Sequence, residues 1–156
     1  MTHLLRNYGK AMNTQFRWVI WTVLLVAPLL AGCGEVLNEY YLSNHTDEAK
    51  TVRMTPLFLD TVDLKAGPLI AEISGSVRAS LEEPVAFEER GEAIEFTLPA
   101  QTTVYLGFSS GGTELFRQLE VSSPGRRFFV NASNYREYFS VRDNLVGAVV
   151  HVLDIR

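Results

Sequence analysis

The sequence predicts an all-β protein, an antiparallel β-sandwich, on three observations. From residue 39 onward, apolar residues recur at alternate positions in short runs, the period of strands with one buried face. Turn-forming clusters such as Pro99-Ala100-Gln101 and Ser122-Ser123-Pro124-Gly125 separate the runs, at intervals of roughly ten residues. Nowhere in this region does a convincing helical stripe extend beyond two turns, residues 133–139 being the best candidate for one.

Residues 39–43 and 51–59 read as the first two strands, with Pro56 requiring the second to be an edge strand or a bulged one because it lacks a ladder donor. Residues 69–77 read as a third, alternating Leu69, Ala71, Ile73 and Val77 against Glu72, Ser74 and Ser76. In 93–98, Ile94, Phe96 and Leu98 face one way and Glu95 and Thr97 the other. In 102–109, Val104, Leu106 and Phe108 are expected inside, Thr103 and Tyr105 outside. Pro99-Ala100-Gln101 is expected to join these two as a hairpin, and Ser110-Gly111-Gly112-Thr113 to turn into a strand bearing Leu115, Leu119 and Val121 on one face. Residues 127–131 resume a strand after the Ser122–Gly125 turn, and the final run, 146–155, is apolar on both faces, as suits a central strand. Size and pattern are similar to immunoglobulin-like or related sandwiches, although no disulfide or core tryptophan accompanies them.

The N-terminal segment is of a different kind. Residues 18–30 contain no charge and as a helix reach only about 20 Å, short of the roughly 30 Å hydrocarbon core. Arg6, Lys10 and Arg17 precede this run, and Met12 is a second candidate start; the arrangement is that of a signal peptide. It ends in Leu30-Ala31-Gly32-Cys33, which resembles the lipobox of bacterial lipoproteins. The resemblance implies diacylglycerol on the Cys33 thiol and cleavage after Gly32, and it covers only the leader and Cys33. Two or three acyl chains, at about 0.8 kcal/mol per buried CH2, suffice as an anchor. Gly34, rather than Asp, is similar to lipoproteins sent to the outer membrane where the host has two membranes. The expected organisation is therefore a helical signal peptide over 1–32, a short lipidated tether over 33–38 and a single domain over 39–156, located in the cell envelope with the membrane as partner through Cys33.

After the leader, 11 basic residues face 18 acidic ones. That balance opposes phosphate neutralisation and argues against nucleic acid as a partner. Cys33 is the single cysteine, so no intramolecular disulfide forms, and no Cys/His spacing suits zinc.

Catalytic chemistry finds little footing. Only His45 and His151 follow the leader, and no Gly-x-Ser-x-Gly elbow is present. Asn44-His45-Thr46-Asp47-Glu48 reads as a polar hairpin turn rather than a cation site, and His151, within the apolar last strand, as a satisfied or edge-facing residue. Glu82, Glu83, Glu88, Glu89 and Glu92 read as a solvated loop; nothing fixes the separation of a catalytic pair. The sequons at Asn44 and Asn131 read as turn residues. Arg126-Arg127-Phe128-Phe129 and Tyr135-Arg136-Glu137-Tyr138-Phe139 interleave aromatics with arginines, a composition enriched in binding hot spots, with alternation sending Phe128 and Val130 opposite to Phe129. Arg126, Arg127, Tyr135, Arg136 and Tyr138 are the candidate binding residues. The expectation is a non-enzymatic module, without cofactor or metal, for an envelope protein, peptide or glycan. The alternatives are an envelope hydrolase built on carboxylates, and a structural spacer.

Overall fold

A computed structural model of the chain describes residues 36–73, 76–111, 114–144 and 148–156. The signal peptide expected over 1–32, and Cys33, lie outside the described residues. Contacts divide the chain into Met1–Gly34 and Glu35–Arg156; all that follows concerns the second unit.

Eleven strands are described: β1 Leu37–Asn44, β2 Lys50–Pro56, β3 Val62–Pro68, β4 Glu83–Pro84, β5 Phe87–Arg90, β6 Ala93–Leu98, β7 Thr102–Ser110, β8 Phe116–Ser123, β9 Arg126–Asn131, β10 Phe139–Asn144 and β11 Ala148–Ile155. One helical turn, α1, spans Tyr135–Tyr138, inside the 133–139 stretch that the sequence singles out. The strands form two sheets, ordered β10-β11-β1-β7-β3-β4 and β5-β6-β2-β8-β9, and the main core lies between them. This is the all-β sandwich that the sequence predicts.

Alternation builds that core directly. In β6 the buried row is Ile94, Phe96 and Leu98, and in β2 it is Lys50, Val52 and Met54. Leu119, Val121, Val130, Leu153 and Ile155 join them from β8, β9 and β11, and Leu42, Leu64, Val104 and Leu106 from β1, β3 and β7. Residues of this kind bring about 1.5–3 kcal/mol each on full burial. Pro56 sits at a register shift opposite Phe116, a bulge on a central strand rather than an edge. The apolar run at the end of the sequence is central as expected, β11 lying between β10 and β1.

Four expectations are corrected. Pro99-Ala100-Gln101 is not a hairpin, because β6 and β7 belong to different sheets; the 110–113 connection from β7 to β8 crosses between the sheets too, as does the His45 turn from β1 to β2. Short polar links look alike whether they reverse a strand within a sheet or carry it across the sandwich. The pairing is also not wholly antiparallel, since β1 and β11 run parallel from Leu37↔Ala148 to Asn44↔Ile155.

No strand is described over residues 69–73 or 76–77. The strand in this region is β3, and the chain after it folds as a cover over the outer face of the first sheet, where Ile73 and Leu81 pack with Tyr41, Tyr105, Val150 and Val152. The positions that meet the sheet are Ile70, Ile73 and Val77, spaced three and four apart rather than alternately. The cover explains why Thr103 and Tyr105, expected outside, are fully buried. Arg78 rests 5.3 Å above the Tyr105 ring, and its Nη2 donates to Asp63 Oδ2 at 2.7 Å. Phe108 leaves the core for a separate reason: β7 slips by one residue against β1 between Tyr40↔Gly107 and Tyr41↔Tyr105. A one-residue slip exchanges the faces of a strand, and Ser109 becomes the buried residue instead, 3.3 Å from Tyr40 Oη.

Candidate functional site

A two-residue turn sets up a cleft at one end of the sandwich. β8 and β9 pair from Gln118↔Asn131 to Ser123↔Arg126, leaving only Pro124 and Gly125 in the loop. Gly125 has φ +78°, a conformation open to glycine and the reason Pro-Gly serves here. The alternation that starts from this turn puts Arg126, Phe128 and Val130 on the row facing the other sheet, with Val130 wholly buried, Phe128 half-buried against the core and Arg126 at the rim. Lys50 holds the same place on β2, ahead of Val52 and Met54. Where these apolar rows end, the two sheets leave an open cleft of about 540 Å3, walled by the 46–50 segment, the β8–β9 hairpin and the end of β11.

The cleft gathers positive charge in a chain of net −4. Lys50, Arg126 and Arg156 line it against one acidic side chain, Glu48, with Phe128 as apolar wall and Thr46 and Ser122 supplying hydroxyls. The Lys50 side chain is 9% exposed, and its Nζ lies 3.2 Å from Glu48 Oε2, a group 69% exposed. Arg156 Nη2 lies 3.8 Å from Asp154. Among the described residues Arg126 has no carboxylate within salt-bridge distance, and it also borders the neighbouring groove. Sequence reasoning missed Lys50. Its signal is parity: it falls on the inward row of a strand yet carries charge.

The five candidate binding residues do not form one surface. Arg126 enters the cleft. Arg127, next along, points to the opposite face, where it pairs with Glu120 and lies 5.0 Å from the exposed Phe129 ring. Tyr138 stacks on Phe128 at 5.3 Å with an interplanar angle of 3°, tying α1 to the wall of the cleft. Arg136 is exposed. Tyr135 is the correction: its ring packs against the core, stacked 4.7 Å from Phe139, and its hydroxyl lies 2.6 Å from His151 Nδ1. Burial drives its phenol far above the ordinary range. The four-residue α1 places Tyr135 and Tyr138 three positions apart, the first under the sandwich edge and the second on Phe128.

His151 is satisfied, as its apolar strand suggests. Its Nε2 meets Asn38 Oδ1 at 3.0 Å, its ring stacks 4.7 Å from Tyr40, and burial lowers its pKa. His45 lies 3.1 Å from Asp154. The glutamates expected in one loop are spread over two short edge strands: Glu83 stands in β4, Glu88 and Glu89 in β5, and Arg90 and Arg117 pair with Glu88 and Glu92. Among the described residues no three His, Cys, Asp or Glu side chains converge as a metal group, and no helix is long and apolar enough to cross a membrane. Comparison with protein families, characterised proteins and solved structures finds no match.

Proposed function

We propose that the chain is the precursor of a lipid-anchored envelope lipoprotein whose β-sandwich acts as a non-enzymatic binding module, with the cleft beside the β8–β9 turn as its site. The observation that carries the reading is polarity along β1. This strand begins at Leu37, four positions after Cys33, and ends at Asn44, two positions before Thr46 in the cleft wall. Eight residues at about 3.3 Å each separate the two ends by roughly 26 Å. A domain tethered through Cys33 presents such a cleft away from the bilayer, toward an envelope protein, peptide or glycan. In a host with two membranes Gly34 directs this module to the outer membrane.

Binding is favoured over hydrolysis by the state of the ionisable groups. The glutamates that might have paired sit on separate edges or against arginines, and His151 is occupied on both ring nitrogens. The test has two arms. Cys33→Ser should release the domain from salt-washed membranes. A photo-crosslinker replacing Ser123, at the cleft, should capture a cell-envelope partner that one replacing Arg117, near the opposite end, does not. Membrane retention by the serine variant refutes the anchor, and equal capture from both positions refutes the site.

A further inference from the structure

We infer that the cleft takes an acidic saccharide, a sugar unit bearing a carboxylate. This deepens the binding reading above and rests on the cleft being its site. Three observations point to this class of ligand.

The first is charge that the fold has gone out of its way to place. Lys50 is nine-tenths buried on an inward-facing row, where an aliphatic residue would cost nothing in desolvation. Its one carboxylate partner, Glu48, is largely solvated and so weakly neutralising. Arg126 reaches the same cleft with no carboxylate partner among the described residues. Together with Arg156 these basic side chains outnumber the acidic side chains of the lining three to one, in a protein whose remaining charged side chains are dominated by acid. A carboxylate entering here meets an ammonium with donors to spare and a planar guanidinium suited to bidentate pairing.

The second is the mixed wall. Phe128 offers apolar ring surface, and Tyr138 fixes its orientation from behind at 3°; Thr46 and Ser122 add hydroxyls around it. A pyranose presents C–H groups on one face and hydroxyls around its edge, and this wall offers a counterpart to each. The third is size. About 540 Å3 falls within the roughly 300–1,000 Å3 of small-ligand clefts, and the open rim lets a longer chain run past Arg126 into the adjoining groove.

The experiment is titration calorimetry on the full lipidated protein in detergent, with oligogalacturonate as probe. A neutral malto-oligosaccharide of equal length, inorganic phosphate and an oligoglutamate serve as comparisons. The expected result is saturable binding of oligogalacturonate that weakens as salt rises, little or none of the comparison compounds, and at least a tenfold loss in Arg126→Gln. Arg53→Gln, on the exposed row of β2, should bind as the parent does. Lys50→Gln should also weaken binding; because Lys50 is buried, its fold is checked by circular dichroism, and Arg126→Gln decides if it fails. Equal binding of the neutral sugar, phosphate binding as tightly as the uronate, preference for oligoglutamate, or an unaffected Arg126→Gln would each overturn the inference. If cleft crosslinks persist while oligogalacturonate fails to bind, the ligand class alone is wrong; loss of the crosslinks removes the site itself.

Discussion

The side-chain amide of Asn134 donates to the backbone carbonyl of Phe129 at 2.9 Å, while its Oδ1 accepts from the backbone N–H of Asn131 at 2.8 Å. One side chain thus stands in for a neighbouring strand along the outer edge of β9, the last strand of its sheet. Edge strands with open ladder groups are templates for pairing with other chains. Asn134→Ala should lower stability by about 1 kcal/mol and raise the tendency to dimerise, read by urea denaturation and by sedimentation across a concentration series. An unchanged monomer would show that the amide protects nothing.

His151 supplies a pH dependence. Burial holds its pKa below the ordinary 6.5, so the unfolded chain takes up a proton before the folded one does. The neutral ring's contribution is therefore fully present above about pH 6.5 and is lost as pH falls through the lower folded value. Melting temperature should drop between pH 7.5 and 5 in the parent, and the drop should shrink in His151→Gln, which can still bond to Tyr135 and Asn38. An equal drop in both would assign it to other groups.

Gly107 has φ +141°, and a Cβ there would stand 2.2 Å from the Thr61 carbonyl oxygen. Both the backbone conformation and the clash oppose any side chain. Gly107→Ala should cost about 3 kcal/mol or more, measured by denaturant unfolding, since the Leu59–Thr61 turn must move or the β7 bulge must straighten. A loss under 1 kcal/mol would mean that the turn yields easily.

Tyr105 gives a prediction of opposite sign. Its hydroxyl is buried with no hydrogen-bond partner among the described residues, a state that costs about 1–3 kcal/mol. Burial correspondingly pushes its phenol pKa well above the ordinary value. Tyr105→Phe keeps the ring beneath Arg78 and removes the orphan oxygen, so the urea midpoint should rise. A fall would show that the hydroxyl contributes to the native state.

Much of this architecture was legible because alternation reports faces. The inward rows of β6 and β8, the opposition of Phe128 and Val130 to Phe129 in β9, the irregularity at Pro56 and the central position of the last strand follow from residue order and the chemistry of proline. What alternation does not report is which sheet a strand joins, and so the links at 99–101 and 110–113 read as hairpins. The 69–77 segment shows the same limit: the residues that cover the sheet from outside are Ile70, Ile73 and Val77, which do not follow the alternation, and Tyr105 is buried by that cover although its own strand marks it as outward. At the site, Arg126 was visible as part of an arginine–aromatic run. Lys50 was not, because its meaning depends on ending a buried row opposite another cation, and Tyr135 was misassigned because α1 turns it toward His151.

The parallel pairing of β1 with β11 has a mechanical side. β1 and β11, whose far end reaches the cleft wall, lie edge to edge and point the same way. A load that draws the start of β1 away from the end of β11 would be directed along both strands, and the cross-strand bonds between them would share it simultaneously instead of parting in sequence like a zip. The parallel pair is thus the part of the sheet that best withstands such a pull.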